Sequence, residues 1–177
     1  MTQANPGTLA DPLADYVARR DITDAVQRYM RGLDRLDEAL FRSAFHPDAQ
    51  IDCGVYAGDL DGFVAFAFGF LGQMQASHHM LGQSRIAIHD ADRASGESYF
   101  QAWHGITGAD GAPRDLFIAG RYIDAYACRD GQWRIVRRTL ISEWATDTAA
   151  TGQAHMSAPQ TLRSARGGLD LSDRPAW

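Results

Sequence analysis

Lysine is absent. All 17 basic residues of this 177-residue chain are arginine. No side-chain amine is therefore available for a Schiff base, a pyridoxal aldimine or the phosphate-gripping lysine of a Walker-A loop. A basic excess is also absent: 17 basic residues face 22 acidic ones, a formal charge of −5, which argues against a nucleic-acid partner. Cysteine is scarce. Cys53 and Cys128 stand in no CxxC or zinc-type spacing, so they read as reduced core residues of a cytoplasmic protein. No apolar run approaches the roughly 18 residues needed to cross a bilayer, and no membrane partner is expected. The first residues, MTQANPGTLADPLADY, lack a basic start and an apolar stretch and do not read as a secretory signal. Six histidines occur without HExxH or related spacing, and neither GxGxxG nor GxSxG is present. No metal and no organic cofactor is expected.

What is present suits one globular domain: 45% hydrophobic and 22% charged residues can bury a core. Residues 1–11 read as a loose lead-in. From Pro12, apolar residues from Leu13 through Tyr16, Ile22 and Val26 to Met30 recur at helical spacing, and Gly32 is expected at or near the helix end. A short helix over Leu36 to Phe45 is predicted next, stopped by His46-Pro47-Asp48, then a strand over Gln50 to Cys53. A third helix, Asp59 to Ala76, takes Asp59 or Asp61 as N-cap. Its phenylalanines at 63, 66, 68 and 70 cannot all face one side, so it should pack on more than one surface.

Four strands follow: His79–His89, Glu97–Thr107, Asp115–Arg129 and Gln132–Trp144, joined by turns that include Asp110-Gly111 and Asp130-Gly131. Helices first and an antiparallel meander after them define an α+β fold. Residues 146–177 lack periodicity and read as a disordered tail or a strap over the domain or a neighbouring subunit, with the terminal Pro175-Ala176-Trp177 favouring docking.

A few polar residues stand among apolar neighbours. Tyr29 and Asp34 lie near the end of the first helix. His78 and His79 open the first long strand. His104 lies inside the second, and Arg137 and Arg138 inside the fourth. Strand side chains alternate, so one of the two arginines faces inward and needs a partner.

With these residues in view, the chain resembles the SnoaL-like branch of the nuclear-transport-factor-2-like superfamily over about residues 12–145. The likeness rests on Tyr29-Met30-Arg31-Gly32-Leu33-Asp34, on Ser77-His78-His79-Met80-Leu81-Gly82-Gln83, and on Gly120-Arg121-Tyr122-Ile123-Asp124-Ala125-Tyr126 with Asp130-Gly131-Gln132-Trp133-Arg134-Ile135 and Arg138. The resemblance implies a cone: a curved antiparallel sheet around helices, with an apolar cavity at the wide end. Its polar set is similar to those of cofactor-free lyases of the scytalone dehydratase, bile-acid dehydratase and hexachlorocyclohexane dehydrochlorinase types. Those enzymes share an Asp–His pair, matched here by Asp34 and His79. Tyr29, His104 and Arg138 match further cavity residues of one or another of them. Gln83 stands where many relatives have Asn, and the dehydrochlorinase has Lys where Tyr29 sits.

The implied mechanism is general acid–base catalysis. His79 takes a proton, Asp34 orients it, and Tyr29, His104 or Arg138 donate hydrogen bonds to developing charge. Tyr56, Phe66, Trp103, Phe117 and Trp144 are expected to bind a flat, apolar substrate. The expected reaction is elimination of a small fragment, of the dehydratase or deformylase type, from an aromatic or polycyclic compound. A double-bond isomerase, a non-catalytic ligand binder and a dioxygenase β-subunit-like module are the alternatives. The resemblance also implies a homo-oligomer, trimer or dimer, formed through the outer sheet face.

Overall fold

The structure, a computed structural model, describes Gly7 and residues 9–174. Helix α1 spans Pro12–Arg35. The Asp11 carboxylate accepts the Leu13 N–H, proline sits in the first turn and Arg35 closes the last one. Gly32 lies near the helix end, as expected, and the cap is Leu36, which adopts a left-handed conformation with φ 50°. Gly32 is there for contact: a Cβ would lie 2.7 Å from the Phe41 backbone. That closeness lets the next helix, α2 (Glu38–Ser43), press against α1.

Helix α2 is shorter than the sequence predicts, because Phe45 already begins strand β1, Phe45–Asp52. Pro47 does not stop a helix; it lies in β1 where the pairing register breaks between Phe45 and Gln50, so its missing N–H costs no ladder bond. A short strand β2, Ala57–Asp59, turns directly into helix α3, Leu60–Gly72, with the Asp59 side chain capping the Gly62 N–H. Phe63 and Phe66 face inward over the sheet, while the Phe68 ring meets Phe41 of α2 at 5.4 Å. The phenylalanine-rich helix therefore packs on two surfaces, as expected.

Strands β3 (Ala76–Ile88), β4 (Arg93–Thr107), β5 (Pro113–Arg129) and β6 (Gln132–Ala149) form the antiparallel meander. The β5–β6 turn places Asp130 and Gly131 at φ 52° and 73°, the conformation that a two-residue hairpin needs. β1 adds to β6 in parallel, giving the order β2-β1-β6-β5-β4-β3. The sheet curves around α1 and α3, and the core fills the space between, with Ile22, Phe41, Phe45 and Ile135 at most 1% exposed.

The C-terminal segment is a strap. After β6 and a turn of helix, α4 (Gln153–Met156), the chain returns to the C-terminal ends of α1 and α3. The Gly167 N–H donates to the Arg35 carbonyl, and Arg31 pairs with Asp173. The terminal Pro175-Ala176-Trp177 lies outside the described residues. Among the described residues no helix is long and apolar enough to cross a membrane.

Candidate active site

Asp34 occupies the last turn of α1, and His79 stands near the start of β3. Asp34 Oδ1 accepts from His79 Nδ1 at 2.7 Å, and Oδ2 accepts the His79 backbone N–H at 2.9 Å. One carboxylate thus fixes both the ring and the strand carrying it. The pair is largely enclosed, with side chains 11% and 7% exposed. A carboxylate accepts only, so Nδ1 carries a hydrogen, and in the neutral ring Nε2 is the nitrogen with the lone pair. His79, not His78, makes this contact. His78 is exposed on the other face of the sheet, its ring 6.1 Å from that of Trp103.

His79 looks into a cavity of about 420 Å³ between the helices and the sheet. Leu33 of α1, Phe63 and Phe66 of α3, Ala102 of β4, Ile118 of β5 and Leu140 of β6 supply apolar wall. The polar groups on it are few: His79, His104, Tyr29, Tyr122, Ser142 and the Cys53 thiol. Few polar groups on an apolar wall is the usual make-up of a small-molecule site. Cys53 and Cys128 are both free.

His104 is 4% exposed, and its ring stands edge-on to His79 at 5.4 Å. Its Nδ1 lies 3.3 Å from the carbonyl of Leu116, its neighbour on β5. Burial, then the proximity of His79, pushes the His104 pKa down to about 4. Burial raises the pKa values of Tyr29 and Tyr122, so both keep their protons and remain donors.

Arg138 is not part of the wall. Its side chain points inward while Arg137 stays exposed, as alternation requires, but Arg138 is 1% exposed and sealed behind the cavity. Nε and Nη2 donate to the two oxygens of Asp124 at 2.8 and 2.6 Å, and the Tyr126 hydroxyl donates to the same carboxylate. The guanidinium lies 4.2 Å from the Tyr29 ring centre and 4.1 Å from that of Tyr122. Rather than donating to a substrate, it braces two tyrosines that do line the cavity.

The aromatic residues also divide. Of the five expected at the substrate, Phe66 lines the cavity. Tyr56 packs behind it, its ring 5.7 Å from Phe66 and its hydroxyl donating to the Asp59 carbonyl. Trp103, Phe117 and Trp144 lie on the outer face of the sheet, with successive ring distances of 4.9 and 5.6 Å. They make no wall of the cavity because strand side chains alternate, and His104 already takes the inner face beside Trp103.

The strap supplies a residue absent from the sequence-based set. Arg166 donates to the Leu71 and Met74 carbonyls at the end of α3 and to the Ser77 hydroxyl, two residues before His79. Beside it, Asp170 pairs with Arg35 at 3.5 Å. The Ser172 hydroxyl, with the Ala165 and Ser172 N–H groups, holds Asp170 well below the usual carboxylate range. Among the described residues no three His, Cys, Asp or Glu side chains gather in a metal-holding group.

Residues 15–139 match the family model described as SnoaL-like domain. No curated protein sequence matches the chain significantly. Among solved structures, a type 2 hexachlorocyclohexane dehydrochlorinase superposes with a TM-score of 0.71 at 22% identity, covering 79% of this chain and 95% of that one. A scytalone dehydratase-like protein of Novosphingobium aromaticivorans gives 0.70 at 22% identity, over 79% and 93%. A hexachlorocyclohexane dehydrochlorinase of Novosphingobium barchaimii gives 0.70 at 19% identity, over 79% and 96%. At such identities the likeness establishes the fold: the cone of helices in a curved, unclosed sheet.

Proposed function

Since the chain belongs to the SnoaL-like domain family, whose fold serves cofactor-free lyases, we propose that it is itself such a lyase, acting on a small apolar ring compound. The observation that carries this reading is the Asp34–His79 contact at 2.7 Å, on the wall of an apolar cavity. With Nδ1–H engaged, Nε2 of His79 is free to take a proton from a carbon of the substrate. The Asp34 carboxylate then stabilises the imidazolium. Exclusion of water by the apolar wall strengthens that interaction. The Tyr29 hydroxyl, still protonated, donates to charge developing on the substrate. The imidazolium returns its proton to the departing group, and a small fragment such as water leaves. Every group in this cycle is a side chain, so the reaction needs neither metal nor organic cofactor.

The experiment is a screen of apolar ring alcohols by mass, run with the wild-type chain and with His79→Ala, before and after exhaustive chelation. Loss of the mass of water that depends on His79 and persists after chelation supports the proposal. Conversion without mass change identifies a double-bond isomerase, which uses the same base. Turnover undiminished in His79→Ala contradicts both. We also place the site in a homo-oligomer assembled through the outer sheet face, where Trp103 and Trp144 stand 38% and 62% exposed.

A further inference from the structure

We propose that a second cleft, walled on one side by the strap and on the other by the end of α1 and the start of β3, binds a small monocarboxylate, with Arg35 as its main anchor. The inference does not rest on the lyase reading, because it concerns a different cavity. Of the described residues only His104 borders both.

The cleft has a volume of about 340 Å³, within the size range of small-molecule sites. The domain contributes Arg35, Ala76 and Asp115 to its wall, and the strap contributes Gln153, Met156 and Arg163. Arg35 is the unusual member. Its side chain is only 24% exposed, yet among the described residues it donates no hydrogen bond, and its Nε is buried without an acceptor. Asp170 lies 3.5 Å from that Nε, too far for a hydrogen bond. The Asp170 oxygens are already engaged: Oδ1 accepts from the Ser172 N–H and hydroxyl, and Oδ2 from the Ala165 N–H. Other arginines at this end spend their donors. Arg31 donates to Ser172 and Asp173, and Arg166 to two carbonyls and a hydroxyl. A guanidinium drawn out of water with its donors unspent gains from an acceptor that a ligand brings.

Arg163 stands across the cleft on the strap. It donates to the Met156 carbonyl at 2.7 Å and pairs with no acid among the described residues. The planar fork of a guanidinium matches the two oxygens of a carboxylate. A phosphate matches the fork as well, so charge decides between them. Asp115 on the same wall and Asp170 beside Arg35 offset the two guanidiniums. The balance suits a single negative charge and opposes the second charge of a phosphate. Ala76 and Met156 add apolar surface for a hydrocarbon body next to the carboxylate. An anion held by Arg35 of α1 and Arg163 of the strap ties the strap to the domain.

The test uses benzoate as the probe of the full-length chain, with benzyl alcohol as its uncharged counterpart and inorganic phosphate as the alternative anion. Binding is followed by calorimetry, and its place by hydrogen exchange read by mass spectrometry. Benzoate is expected to bind at least about tenfold tighter than benzyl alcohol or phosphate. It is also expected to slow amide exchange across the strap, residues 153–166, and not across α3. Arg35→Gln is expected to weaken benzoate at least about tenfold, and Arg163→Gln to weaken it less. If Arg35→Gln does not fold, the wild-type exchange map decides. Benzyl alcohol binding as well as benzoate, phosphate binding more tightly than benzoate, no benzoate binding, or protection on α3 in place of the strap overturns the inference. No readout involves turnover, so failure of the lyase reading and failure of this one are separable.

Discussion

The Asp34 carboxylate holds His79 at two points, the ring Nδ1 at 2.7 Å and the backbone N–H at 2.9 Å. Holding the ring alone fixes a tautomer. Holding the backbone as well ties β3 to the end of α1, so the base is aimed by the fold and not only by its own rotamer. The two oxygens of one carboxylate thereby join the helix layer to the sheet at the place where chemistry is proposed.

His104 makes the protein acid-sensitive in a defined window. Its pKa is pushed down from 6.5 to about 4, chiefly by burial. Above the higher value both folded and unfolded chains hold it neutral. Between the two values the unfolded chain binds the proton and the folded chain does not. Stability is therefore lost as pH falls from 6.5 toward 4, by about 3 kcal/mol. Urea titrations at several pH values, compared with His104→Phe, check this. The variant is expected to lack this part of the decline.

Arg138 and Asp124 are a buried pair, 1% and 0% exposed at their side chains. Removing one partner strands the other. Arg138→Met is expected to cost about 3–5 kcal/mol in denaturant unfolding, and Asp124→Asn to be strongly destabilising as well. The double change to apolar residues should recover much of the loss. A mild effect of Arg138→Met on stability would show that the pair is not sealed.

Arg166 donates to two carbonyls at the end of α3 and to the Ser77 hydroxyl, contacts that tie the strap to the domain. Arg166→Ala is expected to lower stability by about 1.5–3 kcal/mol. It should also speed amide exchange across residues 163–173 before it affects β4 or β5. Hydrogen exchange read by mass spectrometry distinguishes this from a uniform loss.

The outer aromatic row of Trp103, Phe117 and Trp144 is expected to hold copies of the chain together. Trp144→Glu places a charge on its most exposed ring, 62% accessible. Sedimentation should then show a shift toward monomer with the fold retained. An unchanged sedimentation coefficient contradicts assembly through this face.

Much of this was legible in the sequence, and the exceptions have physical causes. Asp-Gly turns between β-rich runs marked the four-strand meander, apolar spacing from Pro12 marked α1, and the Asp59 cap marked α3. The parallel pairing of β1 with β6 left no local trace, because it joins segments about ninety residues apart. Aromatic character alone puts Trp103 at the substrate, whereas strand alternation beside His104 turns it outward. Trp144 is a different case. Counting by twos from Arg138 through Leu140 and Ser142 turns it inward, but Gly120 pairs with Ser142 while Ala119 pairs with Trp144. The bulge at Glu143 reverses the count. Arg138 was correctly turned inward, yet its partner Asp124 depends on the β5–β6 register. The cavity role of Tyr122 was hidden in a stretch that reports the fold. Arg166 lies in a segment without periodicity, and only the return of the strap brings it to α3.

The most direct test of the account is kcat for Asp34→Asn on an alcohol found by the screen, measured beside the wild-type chain with the fold checked by circular dichroism. Asparagine keeps the shape but removes the charge and can present an N–H toward His79. The account predicts a fall of about 10²–10⁴-fold in kcat. A folded Asp34→Asn variant that turns over at the wild-type rate contradicts the assignment of His79 as a carboxylate-oriented base.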